Sequence, residues 1–284
     1  MTVKDLFEAA NRLAKDAGAD ATPWDARILM AHATGGTGPL ALDWKRELAP
    51  AVGKRFEELW QRRLAGVPVQ HLVGEWDFYG RTFTVDGRGL APRPETELLV
   101  EAALREAPEA RRILDAGTGS GILAVTLLAQ WREARAVALD SSLEALALAR
   151  ENTLRHGVGD RVALVGSDWL SALSALSPPG FDLAVSNPPY LAFSDRANLS
   201  PTVRDHDPSM ALFAGSDGLE AIRHLLDALP AHLAPGAPFL FELGYGQAAA
   251  VEREIRKRPA WTFVRIEPDL AGIPRVAIVK RSNS

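Results

Sequence analysis

Four consecutive residues, Asn187-Pro188-Pro189-Tyr190, follow the apolar run Phe181 to Ser186 and together suit one chemical task. The nitrogen of a planar amide or aryl amine is a poor nucleophile because its lone pair is delocalised. If the Asn187 side-chain oxygen and the Pro188 carbonyl accept that nitrogen's two hydrogens, they fix its orientation and favour the positive charge that develops as a methyl group arrives. The two prolines stiffen the backbone that carries the carbonyl. Tyr190 offers a ring face to the planar group. The plainer reading is a proline turn closing a strand.

A second constellation precedes it. Ile113-Leu114 runs into DAGTGSG, Asp115 to Gly121, and a helical pattern starts at Ile122. Gly117, Gly119 and Gly121, with Thr118 and Ser120 between them, let a backbone approach a ligand closely at the carboxyl end of a strand. The spacing is GxGxG and lacks the GxGxxG that seats a pyrophosphate, so a dinucleotide is disfavoured. A tight turn without a ligand stays open. The next apolar run ends at Asp140, whose carboxylate suits both hydroxyls of a ribose or, alternatively, the cap of the helix that follows. A third ends in Ser167-Asp168-Trp169. Asp168 offers a carboxylate to an exocyclic amine, and the Trp169 indole suits either a flat purine or ordinary core packing.

Elements must hold these strand ends together. Short apolar runs at Ile113-Leu114, Ala136 to Leu139, Val162 to Val165, Phe181 to Ser186, Phe239 to Leu243 and Val276 to Val279 alternate with helical patterns. That alternation implies an α/β domain with a doubly wound, mostly parallel sheet over residues 91–284. Residues 1–73 read as helices, with Val3, Leu6, Phe7, Ala10, Leu13, Ala14 and Ala17 on one buried face after a Thr2 cap, and a second helix opening at Thr22-Pro23. Phe56, Leu59, Trp60 and Leu64 mark a third. Arg62 and Arg63, beside Lys54 and Arg55, read as a solvated face. Residues 74–90 read as a hairpin linker.

Composition narrows the function classes. The chain has 284 residues, no cysteine and a formal net charge of -4. Disulfide and thiolate chemistry are excluded, the six histidines show no metal-ligand spacing, and no metal is expected. An acidic chain without clustered Lys and Arg disfavours nucleic acid as a partner. No apolar run is long enough to span a bilayer, and the charged N-terminal helix is no signal peptide, so no membrane contact and a cytoplasmic location are expected.

The sequence resembles the release-factor glutamine methyltransferase family along most of its length. The resemblance rests on QHLVGEWDFYG (70–80), LAPRPETE (90–97), DAGTGSG (115–121), Asp140-Ser141, SDWL (167–170), SNPPY (186–190), SDGL (216–219), FELGYGQ (241–247) and EPDLAGIPR (267–275). It implies a seven-stranded methyltransferase sheet and S-adenosylmethionine held by Gly117 to Gly121, Asp140, Trp169 and Asn187, beside which Asp168 is expected to take the exocyclic amine. It also implies a substrate glutamine, from the GGQ motif of class 1 peptide-chain release factors, held by Asn187, Pro188, Pro189 and Tyr190. The helical domain and hairpin would then grip the release factor. Asp207-Pro208 and Ala214-Gly215 stand where the family commonly has Glu-Pro and a double glycine. PRPETE either walls the site or simply sets Glu95 and Glu97 at the positive end of a helix. Rival readings are a glutamine methyltransferase of a ribosomal protein, an adenine amino methyltransferase acting on DNA, a nucleotide-dependent oxidoreductase and a non-catalytic binding module.

Overall fold

The computed structural model describes residues 1–36, 38–173 and 180–283. The chain divides into two compact units, one of Met1–Trp76, Val85–Gly87 and Asn198–Asp207, the other of Asp77–Thr84, Arg88–Ala197 and Pro208–Ser284.

In the first unit, α1 (Val3–Asp16) and α2 (Pro23–Thr34) open on the same device. Thr2 and Thr22 accept the backbone N–H of Asp5 and Asp25, whose carboxylates accept the cap N–H in return. Helices α3 (Pro50–Leu64) and α4 (Val69–Val73) complete a core around Leu6, Ala10, Leu29, Met30, Phe56 and Trp60. Two expectations fail here. Leu13 is 48% exposed and Ala17, which caps the helix end, is exposed too, because the buried stripe narrows to Val3, Leu6, Ala10 and Ala14. Arg63 is buried rather than solvated: it bonds the Asp25 carboxylate at 3.1 Å, the Asp20 carbonyl and the Thr202 hydroxyl.

Strands β1 (Glu75–Phe78) and β2 (Arg81–Thr84) form a two-stranded sheet. Tyr79 and Gly80 between them both have positive φ, 49° and 69°, as a type I′ hairpin turn requires.

The second unit alternates strand and helix. Helix α5 (Glu97–Glu106) leads into β3 (Arg112–Ala116), α6 (Ile122–Gln130), β4 (Arg135–Asp140), α7 (Leu143–Arg155), β5 (Val162–Gly166) and β6 (Leu183–Ser186). After α8 (Pro201–His206), which belongs to the first unit, come α9 (Ser209–Leu212), α10 (Glu220–Ala228), β7 (Pro238–Glu242), α11 (Ala248–Arg256), β8 (Trp261–Pro268) and β9 (Pro274–Arg281). The seven-stranded sheet has the order β5-β4-β3-β6-β7-β9-β8, parallel except for β9, which runs antiparallel to both neighbours. This is the doubly wound sheet expected from the sequence. The edge strand β8 matches no apolar run, because WTFVRIEP is only half buried along most of its length.

Two features of this sheet set up the site. Strand order reverses between β3 and β6, and a crevice for ligands opens at the carboxyl ends of strands on either side of such a reversal. Helix α6, ILAVTLLAQ, is apolar nearly all round and buried from Ile122 to Leu128, which pins the turn before it.

Candidate active site

The glycine turn is built from strand ends. The backbone N–H groups of Gly117 and Thr118 both donate to the Leu139 carbonyl, and Gly117, Gly119 and Gly121 have φ of 76°, 55° and 81°. A side chain at 121 would press on Ala149 at 3.1 Å, so the last glycine is also a packing requirement. Thr118 and Ser120 are buried. Asp115, the last residue but one of β3, is fully buried. Its Oδ2 accepts the Thr118 hydroxyl at 2.6 Å and the Ala124 N–H at 3.1 Å, tying the strand to the first turn of α6. Its Oδ1 has no hydrogen-bond partner. Burial pushes this carboxyl up to about 7, against the opposing effect of its two donors.

Asp140 closes the next strand. Its Oδ2 accepts the Gly119 N–H at 2.8 Å and its Oδ1 the Ser142 N–H at 2.9 Å, so its carboxylate is braced across the turn. The cap of α7 is Ser142, whose hydroxyl accepts the Ala145 N–H; Asp140 is not the cap. Each Asp140 oxygen retains capacity for a further donor.

Beyond β5, Asp168 is exposed and Trp169 half buried. Trp169 has a φ of 47°, a left-handed conformation that costs a bulky residue roughly 1–3 kcal/mol. In it, a Cβ built on Gly117 would lie 3.8 Å from Cζ3 of the indole. The ring also packs in part on the sheet core and lies 6.0 Å from His224 between centroids. Both readings of Trp169 therefore have a structural counterpart.

Asn187 follows β6 on the other side of the reversal. The β3–β6 register pairs Asp115 with Val185, so Gly117 and Asn187 stand equally far beyond a paired position. The Ser186 hydroxyl donates to the Ala116 carbonyl at 2.6 Å, locking the two strand ends together. The Asn187 Nδ2 donates to Thr96 Oγ1 at 3.3 Å, and that hydroxyl donates to Glu242 Oε2 at 2.7 Å. The Tyr190 hydroxyl reaches the other oxygen of the same carboxylate at 3.3 Å. Burial raises the Glu242 carboxyl above its usual range, while Thr96 and Tyr190 oppose the rise; burial and the Glu242 charge push the Tyr190 phenol up.

The Tyr190 backbone is clamped as well. Gln247 Nε2 donates to the Tyr190 carbonyl at 2.8 Å and to the Gly218 carbonyl at 3.3 Å, and Gln247 Oε1 accepts the Gly244 N–H at 2.8 Å. A Cβ at Gly218 would sit 2.4 Å from the Tyr190 carbonyl oxygen, and one at Gly244 3.0 Å from its ring. The segments SDGL and FELGYGQ thus converge on one residue of NPPY. The segment PRPETE is used too: Glu97 accepts the Tyr79 N–H at 2.7 Å, and Thr96, not either glutamate, bonds to Asn187.

The sequence marks Gly117 to Gly121, Asp140, Asp168, Trp169 and Asn187 at the ends of four strands but suggests no role for Asp115, Thr96, Glu242 or Gln247. Their motifs were visible. Their partnerships were not, because Thr96 and Glu242 are 146 positions apart.

Comparison with known proteins agrees with this geometry. The family described as Methyltransferase small domain matches residues 94–200, and that described as PrmC N-terminal domain matches residues 5–74. The release factor glutamine methyltransferase of Cereibacter sphaeroides is 43% identical over 277 residues, 97% of each chain, and that of Deinococcus radiodurans 41% over 285 residues, 99% of each. The ribosomal protein L11 methylase of Lactobacillus delbrueckii subsp. bulgaricus shares the fold at a TM-score of 0.50 and 21% identity, covering 67% of this chain and 80% of that one. Strand order, glycine turn and the matched domain define an S-adenosylmethionine-dependent methyltransferase. Within that class, the chain belongs to the release factor glutamine methyltransferase family.

Proposed function

We propose that this enzyme transfers a methyl group from S-adenosylmethionine to the side-chain amide nitrogen of the glutamine in the GGQ motif of class 1 peptide-chain release factors. The observation that carries the reading is the position of Asn187-Pro188-Pro189-Tyr190 at the strand-order reversal, one strand from the glycine turn. The relatives' printed name supports the substrate.

The residues present fit the cofactor. A buried carboxylate oxygen without a partner, Asp115 Oδ1, is suited to a cationic group, and ligand binding there would relieve its isolation. Gly117, Thr118, Gly119, Ser120 and Gly121 would wrap the amino acid end, Asp140 would take the ribose hydroxyls, and Asp168 and Trp169 would meet the adenine. When bound, S-adenosylmethionine supplies a methyl group already activated by the positive sulfonium.

The chain then has to present a nitrogen. Asn187 Oδ1 and the Pro188 carbonyl accept the two amide hydrogens, so the nitrogen is held with its face free and its growing positive charge is stabilised. Pro189 keeps the backbone rigid, and the Tyr190 ring lies along the planar amide. No base has to act first, because the nitrogen becomes acidic once methylated and releases its proton afterwards. A cytoplasmic location without membrane or direct nucleic-acid contact goes with this reading, supported by the cysteine-free composition and net charge of -4.

The test is incubation with isotope-labelled S-adenosylmethionine and a release factor carrying GGQ, the same factor with Gln replaced by Ala, a ribosomal protein, and adenine-containing DNA. Mass spectrometry should find label on the GGQ glutamine alone. Label on the ribosomal protein or DNA instead would overturn the assignment.

A further inference from the structure

An asparagine amide is nearly symmetric in shape but not in chemistry. Turned one way it offers an acceptor; turned the other it offers two donors, which repel the hydrogens of an acceptor amide. NPPY alone does not say which way Asn187 faces. Its neighbour does.

Thr96 is 1% exposed and bonded on both sides. A hydroxyl has one proton to give. The Thr96 hydroxyl lies 2.7 Å from Glu242 Oε2, and with that carboxyl ionised its one proton is committed to Glu242. Only lone pairs are left for the contact with Asn187 at 3.3 Å. The group of Asn187 facing Thr96 must therefore be the NH2, and Oδ1 lies on the opposite side. For an ionised Glu242 the proton count gives the same orientation as the structure, where Asn187 Nδ2 faces Thr96 Oγ1.

We infer that Thr96 is a positioning residue: by giving its proton to Glu242 and accepting from Asn187, it locks the asparagine with its oxygen free for the acceptor glutamine. The role rests on the proposed methyl transfer to an amide. Glu242 sits at the far end of the relay, and its other oxygen holds the Tyr190 hydroxyl, so one buried carboxylate steadies both ends of NPPY. Thr96 and Glu242 touch neither substrate in this account. They act through Asn187 and Tyr190.

The experiment pairs kinetics with a readout that needs no turnover. Thr96→Val keeps the shape and removes the hydroxyl; Thr96→Ser keeps the hydroxyl. With selectively labelled asparagine, the Asn187 side-chain NH2 should exchange slowly with solvent in the wild type and in Thr96→Ser, and quickly in Thr96→Val. In turnover with a GGQ release factor, Thr96→Val should lower kcat by about tenfold or more with KM for both substrates little changed, as for loss of an interaction that counts only in the transition state. Thr96→Ser should recover most of that loss. In an Asn187→Ala background, Thr96→Val should cost nothing further, since residues acting as a unit are not additive. A wild-type enzyme that leaves GGQ unmethylated while Asn187 is still protected by Thr96 would sink the functional reading and leave the relay standing. Fast NH2 exchange in the wild type, or a Thr96→Val loss that adds in full to that of Asn187→Ala, would overturn the relay, and the first of these needs no folded variant.

Discussion

The indole of Trp169 stands over Gly117, with Cζ3 3.8 Å from where a Cβ on the glycine would be. A bulky ring is thus held, in a left-handed backbone conformation, beside the glycine turn. Strain of this kind collects where a position is fixed for function. Trp169→Ala should raise the dissociation constant of S-adenosylmethionine about tenfold or more, the usual loss when a base loses its stacking partner. Calorimetry checks binding and a ligand-free melt checks packing; normal binding with a large drop in melting temperature would make the indole a core residue only.

Asp115 gives the site a pH dependence with a definite sign. Its carboxyl is near 3.8 when exposed and about 7 when buried in the fold, so between those values the folded protein binds the extra proton. The group's contribution to stability is therefore complete on the acid side and is lost as pH rises through about 7. Binding of a cationic ligand should do the reverse and tighten as the carboxylate ionises, from about pH 6 to about pH 8. Asp115→Asn should flatten both trends. Identical pH profiles for the variant and the wild type, in melts and in calorimetry, would rule Asp115 out as the titrating group.

Gly218 is the narrowest point of the Tyr190 clamp. Gly218→Ala would set a methyl group 2.4 Å from the Tyr190 carbonyl oxygen, at a φ of 74° that alanine resists. The displaced Tyr190 should lower kcat by up to about 100-fold, the scale expected for a 1 Å misplacement in a site that works by positioning. Affinity for S-adenosylmethionine should change little. Unchanged kcat in a folded Gly218→Ala protein would show that the clamp has no bearing on transfer.

Arg63 tests the helical unit. Asp25 carries both the capping box of α2 and the ion pair with Arg63, whose side chains are 7% and 12% exposed for Arg63 and Asp25 respectively. Arg63→Met leaves that carboxylate buried without its cation, at a cost of about 3–5 kcal/mol. Denaturant unfolding followed at Trp24 and Trp60 fluorescence should report the loss; a transition at the wild-type midpoint would mean that solvent or another donor takes over the charge.

What could be read from the sequence was local. Thr2 and Thr22-Pro23 announce helix starts because a cap acts within one turn. Asp140, Trp169 and Asn187 stand out because strands of a parallel sheet deliver their last residues to one edge, so position alone suggests a site. Arg63 was misread as solvated because nothing in a run of basic residues on a helix says which one finds a carboxylate from another helix. Strand β8 was passed over because an edge strand covered on one face needs no apolar run. Thr96 and Glu242 were quoted within motifs yet left without a role, since only the folded sheet brings PRPETE and FELGYGQ to the same side chain.

Single-turnover methylation of a GGQ release factor by Asn187→Ala, against the wild type and with the Gln-to-Ala factor as control, tests most directly that the oriented Asn187 oxygen presents the amide for attack. The account predicts a rate lowered about 100-fold or more, equivalent to roughly 3 kcal/mol of transition-state stabilisation. Binding of S-adenosylmethionine should be weakened much less, and the control factor should stay unlabelled. A near-normal rate for Asn187→Ala, or equal labelling of the control, would contradict it.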